Sequence, residues 1–290
     1  MFGQVLIYGL ITATQVLFVA LALYVIRLVS RSINLALGGV LTAVAYAFYF
    51  GFAQMNWGAA SALLFAMLVA AVLGTLNYFI HEPLTRRQQP MLILLSSIAL
   101  GLALEAVVAI IFNTDGKSLI AGVVPTLHFG EYQIPISGAI IIGGGVLVFV
   151  VVALLYFLTP FGRKLRAISE NHFAAVSIGI DQPRYRLVAY IVSALIVGLV
   201  GILVGLNTAL VPTMGFNLLA MGFIALLVGG VADIIGTVVA TYLLVLIPEL
   251  VIGLTPSVSA NWRLALVFVL ASLFLFFRPN GLFSRKSRMQ

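Results

Sequence analysis

The stretch "GGGVLVFVVVALLYFLTPFGRKLRAISENHFAAVSIGID", Gly143 to Asp181, changes solvent partway along. Up to Leu158 it closes an apolar run that begins at Ile136 and carries no charge. Beyond Pro160 it holds Arg163, Lys164, Arg166, Glu170 and Asp181. About 20 apolar residues cross a bilayer as a helix, because hydrocarbon offers backbone amides no partner except their own chain. The first half therefore reads as a membrane-spanning helix, and the second as a polar, basic insert outside the membrane.

Composition extends this reading to the whole chain. Of 290 residues, 63% are hydrophobic and 8% charged, and the mean hydropathy is +1.21. Soluble domains carry roughly 25% charged residues, so this chain could not cover a water-facing surface. With no cysteine, disulfides, thiolate metal sites and cysteine nucleophiles are excluded. The formal charge of +7 would suggest nucleic acid in a soluble protein. Here the basic residues lie between apolar runs, as membrane orientation requires. The expected partner is the lipid bilayer, with no nucleic acid. Residues 1–26 lack a basic start and a small-residue cleavage site, so the first run reads as a retained span.

The spanning runs are Val5–Ile26, Ile33–Phe52, Gly58–Ile80, Met91–Phe112, Ile136–Leu158, Leu187–Leu210, Asn217–Val228, Ile235–Ile252 and Leu264–Phe277. The seventh is short, so the set reads as nine spans or as eight plus a re-entrant segment. Arg27 and Arg31, Arg86 and Arg87, the insert, and Arg278, Arg285, Lys286 and Arg288 fall in alternate connections. The positive-inside rule then sets the amino end outside and the carboxyl end inside. The expected fold class is all-α, a polytopic membrane protein of 8–9 transmembrane helices. Residues 1–290 form one transmembrane domain, with residues 159–186 as a cytoplasmic loop.

That loop is longer than a turn requires. Arg163 to Glu170 and the stretch after Asn171 read as two short helices. Asn171 is a good N-cap type, Gly179 suits the position past a helix end, and Pro183 blocks continuation. An amphipathic helix beside a membrane either lies in the lipid interface or fills a groove on a partner. Small Ala174 and Ala175 favour the groove. The plainer alternative is a surface loop with membrane-anchoring arginines.

The segment "RAISENHFAAVSIGI" resembles the coupling loop of the permease subunits of branched-chain amino-acid ABC transporters, at Arg166, Ala167, Asn171, Ala174, Ala175, Gly179 and Ile180. "SINLALGG", "EPLTRRQQPMLILLSSIALGLALE", "GFNLLAMGFIALLVGGVADIIGTVVATYLLVLIPE" and "FFRPNGLF" resemble further family motifs, in order along the chain. Leu35 and Leu37 depart from the family's aromatic and His, and Glu82 from its Arg. Asp233 and Thr237–Thr241 depart from its Gly-rich continuation.

The resemblance implies a membrane permease of an ATP-driven importer in a bacterial cytoplasmic membrane. It implies docking of the loop, with Glu170 among its contacts, on separate ABC ATPase subunits. It also implies a homologous second permease subunit and an external solute-binding protein. The cargo would be branched-chain or related amino acids, with urea or an amide as the alternative. No catalytic residue, metal or cofactor is expected, since ATP would be used by the partner ATPase.

No feature of the residues themselves suggests an engine. "TDGKS" at Thr114–Ser118 ends like a phosphate-binding loop, but Ile111 stands where its first glycine belongs. His81, His128 and His172 are read as loop residues without metal-ligand spacing. Within the spans, pathway or gating candidates are Asn34, Gly38, Gly39, Glu105, Gly229, Gly230 and Glu249. Intramembrane carboxylates default to functional hypotheses, so an ion-coupled carrier using Glu105 is the rival reading. The bland alternative is that Glu105 hydrogen-bonds between helices while Asp233 and Glu249 lie near interfaces. "LALGGV" and "LLVGGV", at Leu35 and Leu226, echo each other as paired glycine breaks do in transporters. That echo stays open between chance and a misplaced seventh span. The glycines of "GGG" at Gly143–Gly145 and of the pair Gly201 and Gly205 read as close helix contacts.

Overall fold

The computed structural model describes residues 2–119, 126–129, 132–230, 233–255, 257–278 and 281–282. The tail residues Arg285, Lys286 and Arg288 lie outside them. The described helices are α1 (Phe2–Ser30), α2 (Leu37–Tyr49), α3 (Ala59–Arg86), α4 (Pro90–Phe112), α5 (Ile136–Leu158), α6 (Pro160–Glu170), α7 (His172–Ser177), α8 (Gln182–Asn207), α9 (Met214–Gly229), α10 (Ile234–Leu254) and α11 (Arg263–Phe277). A wider turn over Phe50–Gln54 prolongs α2, and a short 3₁₀ turn over Ala260–Trp262 leads into α11. Between α4 and α5 a small antiparallel hairpin pairs β1 (Thr126–Phe129) with β2 (Tyr132–Pro135).

Eight of these segments are long and apolar enough to cross a membrane, and α9 is a shorter apolar helix. Packing shows how α9 runs. Its Leu218 and Met221 meet Ala13 and Val16 of α1, and its Ile224, Ala225 and Val228 meet Ala20. Thus α9 travels in the same direction as α1. Antiparallel α10 returns, with Gly9 of α1 against Glu249 and Val5 against Gly253. The seventh run is therefore a separate helix that runs alongside α1 and antiparallel to α10.

α1 is the axial helix, buried from Val16 to Ile26 against α5, α8, α9 and α10. By contrast α3, α4, α5 and α11 keep broad apolar faces exposed, including Leu64, Leu68, Leu95, Ile110, Leu147 and Phe276. Those faces match hydrocarbon as solvent. Close approach elsewhere rests on glycine. Gly198 lies against Val44 and Ala70, and Gly201 against Leu41 and Ala45. The Gly143–Gly145 reading needs a correction: Gly145 packs on Thr14 and Phe18, whereas Gly143 and Gly144 have nothing within 4 Å of where a Cβ would stand. One side of α5 is bare there, so two of the three glycines make no contact.

A pair of substitutions separates the two situations. A Cβ on Gly39 would stand 2.9 Å from the Cα of Gly101 and nearer still to its carbonyl oxygen. Backbone cannot swing aside as a side chain can. Gly39→Ala is expected to lower stability by about 1–3 kcal/mol through overpacking. Gly143→Ala, facing open space, is expected to change it by less than about 1 kcal/mol, with any change stabilising. Thermal unfolding of the detergent-solubilised variants checks the contrast.

Candidate functional site

Two places are candidates for a functional site: the polar insert at one end of the bundle and a convergence of helix ends in its middle.

The insert is a pair of helices, as its sequence predicts. Thr159 caps α6 by accepting from the amide of Gly162 at 3.1 Å, with Pro160 in the first turn. Asn171 separates the two helices and caps α7 through its side-chain oxygen, 3.0 Å from the amide of Ala174. α7 closes on Gly179, whose φ of 81° is a left-handed conformation suited to glycine. Its amide donates to Val176 and that of Ile180 donates to Ala175, satisfying carbonyls at the helix end. Pro183 falls in the first turn of α8, where a missing amide proton costs nothing.

α6 is fastened on three sides. Leu165 packs with Val25 and Val29 of α1 and Ala189 of α8, alongside the stacked rings of Phe161 and Tyr185. The Arg166 guanidinium lies over the rings of Tyr156 and Phe157 at the end of α5, 5.1 and 5.8 Å from their centres. Arg31 ends α1 with a φ of 50°. Its Nη2 donates to the carbonyls of Ser169 and Glu170, at 3.0 and 3.1 Å. Those are the last carbonyls of α6, the negative end of its dipole.

α7 is different. Ala175 is buried, but Ala174, Val176 and Ile178 are exposed, Ile178 to 72%. Arg166 and Ala167 are half-buried on α6, Glu170 and Gly179 are exposed, and Ile180 is half-buried. The insert is thus a rigid base bearing a small apolar, outward-facing knob.

The exit from the insert is clamped. Arg186, in the second turn of α8, donates from Nε to Glu82 Oε2 and from Nη2 to Oε1, both at 2.7 Å. Arg86 adds a bond to Oε1 at 2.8 Å. Arg186 is 4% exposed and Glu82 is 7%. Two parallel bonds between a planar guanidinium and a carboxylate fix the register of α8 on α3. Glu82, which departs from the family's Arg, is one half of this buried pair.

In the middle of the bundle α2 starts late, after the irregular segment 31–36. Asn34 is fully buried there. Its side-chain oxygen accepts from the amide of Ala36, and its Nδ2 donates to Asn77 Oδ1 at 2.8 Å. The amide of Leu35 donates to Ser97 of α4 at 3.0 Å. Gly38 then meets Gly215, in the first turn of α9, and Gly39 meets Gly101. Thr42 accepts from the amide of Gly215 at 3.2 Å. Glu105 of α4 lies beside the backbone of Phe216. The amino ends of α2 and α9 and one carboxylate so share a small apolar cleft with Leu35, Leu102 and Leu219. Helix amino ends are positive and favour anionic groups.

The structure therefore gathers Asn34, Gly38, Gly39 and Glu105 and leaves out the other three candidates. Gly229 packs against Gly236 and Thr237 at the α9–α10 turn. Gly230 has a φ of 102°, and Gly281 of the tail lies on it. Glu249 forms an ion pair with Arg263, at 2.7 Å, between α10 and α11. Asp233 caps α10 through the amides of Ile235 and Gly236. The expectation for His81 is corrected: it is wholly buried inside α3, because that helix continues six residues past the end of the apolar run. The sequence reading also missed Arg31, Ser97, Gly101, Gly215 and Phe216. Each acts on a residue far away in the chain, and no spacing within one segment records that.

The fold is that of a polytopic all-α membrane protein with a capped, apolar-tipped helical pair between two of its spans. The chain belongs to the family described as branched-chain amino acid transport system / permease component, whose model matches residues 5–276. A relative from Methanocaldococcus jannaschii, "Probable branched-chain amino acid transport permease protein LivH", is 28% identical over 157 residues. That alignment covers 51% of this chain and 49% of the relative, so the chain spans about half the length of the curated relative it matches. The fold is similar to a chain of the solved structure described as PsaBC from Streptococcus pneumoniae in complex with Fab. The TM-score is 0.50 at 16% identity, covering 94% of this chain and 91% of that one.

Proposed function

We propose that this chain is the membrane-spanning subunit of an ATP-driven importer for branched-chain or related amino acids. The observation that carries the reading is the outward-facing tip of α7, Ala174, Val176 and Ile178, set on a base fastened to α1, α5 and α8. An apolar knob of this size fits a groove on a partner, and its rigid base would convert a displacement of that partner into a movement of spans. In this reading the partner is an ABC ATPase, which supplies ATP hydrolysis. In this reading the chain itself supplies no catalytic residue and needs no cofactor. Arg166, Ala167, Glu170, Asn171, Ala174, Ala175, Gly179 and Ile180 form the docking element. A homologous second permease subunit and an external solute-binding protein complete the assembly in the bacterial cytoplasmic membrane. The basic end, with the insert and the carboxyl terminus, faces the cytoplasm, and the amino terminus lies outside.

The cargo passes near the convergence of Asn34, Gly38, Gly39 and Glu105. The lining there is apolar apart from one carboxylate, that of Glu105. Reconstitution in liposomes tests the reading. Uptake of radiolabelled leucine is expected with ATPase, binding protein and ATP together, and none with a proton or sodium gradient alone. Gradient-driven uptake by the purified chain would replace the importer with the carrier. Glu105→Gln keeps the size and a carbonyl oxygen of the side chain and removes only its ability to ionise, so at least about half of ATP-driven uptake is expected to remain. An ion-coupled carrier relying on Glu105 would lose it. Urea in place of leucine distinguishes the alternative cargo.

A further inference from the structure

Beyond the Glu82–Arg186 clamp, the seam between α3 and α8 continues into the bundle as polar side chains. Asn77, His81 and Tyr190 line it, 1%, 0% and 2% exposed. Tyr190 stands one turn beyond Arg186 on α8, and His81 one turn beyond Asn77 on α3. The rings of His81 and Tyr190 stack at 25°, with centres 6.3 Å apart. His81 Nδ1 lies 2.8 Å from the carbonyl of Asn77. A carbonyl only accepts, so Nδ1 carries the proton and Nε2 of the neutral ring presents a lone pair. That Nε2, Asn77 Nδ2 and the Tyr190 hydroxyl are all buried without a hydrogen-bond partner among the described residues. The Tyr190 hydroxyl also comes close to the side chain of Asn34, the bracket of the α2 start.

Each unsatisfied buried polar atom costs roughly 1–3 kcal/mol, and three in one place call for an occupant. Their chemistry selects it. Asn77 Nδ2 only donates, His81 Nε2 only accepts, and the tyrosine hydroxyl does either. A cation would meet the Asn77 amide protons, and an anion would meet the histidine lone pair. Water donates and accepts, and buried waters typically make about three hydrogen bonds to otherwise unsatisfied groups. We propose that Asn77, His81 and Tyr190 hold a buried water molecule in the α3–α8 seam. It links the helix that leaves the insert to the bracket at the start of α2. This site is independent of the cargo and of the ATPase.

Radiolytic footprinting of the protein in detergent tests it, because hydroxyl radicals generated from a bound water oxidise the side chains beside it. Tyr46 is an internal control, equally buried but with its hydroxyl donating to the carbonyl of Leu210 at 3.1 Å. Tyr190 and His81 are expected to oxidise at least about fivefold faster than Tyr46. In Tyr190→Phe, oxidation of His81 is expected to fall severalfold as the water loses one partner. Tyr190 and His81 oxidising no faster than Tyr46 would overturn the proposal, and that comparison needs only the unaltered protein.

Discussion

Ala174→Arg is expected to reduce copurification of the permease with its ATPase at least tenfold while membrane insertion stays normal. Ala174 is exposed on α7, next to buried Ala175 and near the exposed side chains of Val176 and Ile178. Interfaces concentrate their energy in a few central, desolvated contacts. A guanidinium forced into an apolar groove without a partner carries a desolvation penalty of several kcal/mol. The helix itself should survive, because alanine and arginine are both good helix formers and the Asn171 cap is untouched. A control comes from Arg184, whose pair with Asp181 is 2.6 Å long and largely exposed. Such surface pairs contribute about 1 kcal/mol or less, so Arg184→Ala should leave copurification within about fivefold. Pull-down of epitope-tagged permease from detergent extracts, with quantification of bound ATPase, reads both. Undiminished capture with Ala174→Arg would remove α7 from the interface.

The second large effect concerns folding. Arg186→Leu leaves the Glu82 carboxylate in a buried site, with the exposed Arg86 as its remaining partner. Breaking a buried ion pair by removing one member typically costs about 3–5 kcal/mol. Arg86 offsets part of it, so a loss near the lower end is expected. Removing both members relieves the uncompensated charge. The double variant Glu82→Leu with Arg186→Leu should therefore be more stable than Arg186→Leu alone, although it lacks more native contacts. Thermal unfolding of the wild type, both single variants and the double variant closes the cycle, with a coupling of about 2 kcal/mol or more expected. Additive losses would mean that Glu82 and Arg186 do not act as a pair.

The parts of the fold that could be read from the sequence are those fixed by one segment. Solvent, span positions and the two helices of the insert follow from local composition, and so do the Asn171 cap and the Gly179 turn. Residues that work across segments could not be read this way. His81 looks like loop punctuation beside Glu82, Pro83 and Arg86, yet α3 carries it into the bundle because Arg186 neutralises Glu82 from α8. Glu105 is visible as an anomaly in α4, but its neighbour across the cleft, Phe216, follows from where α9 starts. The echo between "LALGGV" and "LLVGGV" has no shared location: Gly38 and Gly39 sit at the mid-bundle convergence, and Gly229 and Gly230 at the α9–α10 turn. The actual glycine partners of the α2 start are Gly101 and Gly215, one on α4 and one at the start of α9.

The shortness of α9 bears on how the chain is made. Sixteen residues rise about 24 Å at 1.5 Å per residue, less than the roughly 30 Å of hydrocarbon. A nascent segment of that length partitions weakly from the translocon into lipid by itself. α9 is lined instead by α1, synthesised long before it, and by α10, which follows within four residues. Its entry into the bilayer should therefore wait for the ribosome to deliver α10, so that the two leave the translocon as a hairpin against a helix already in place.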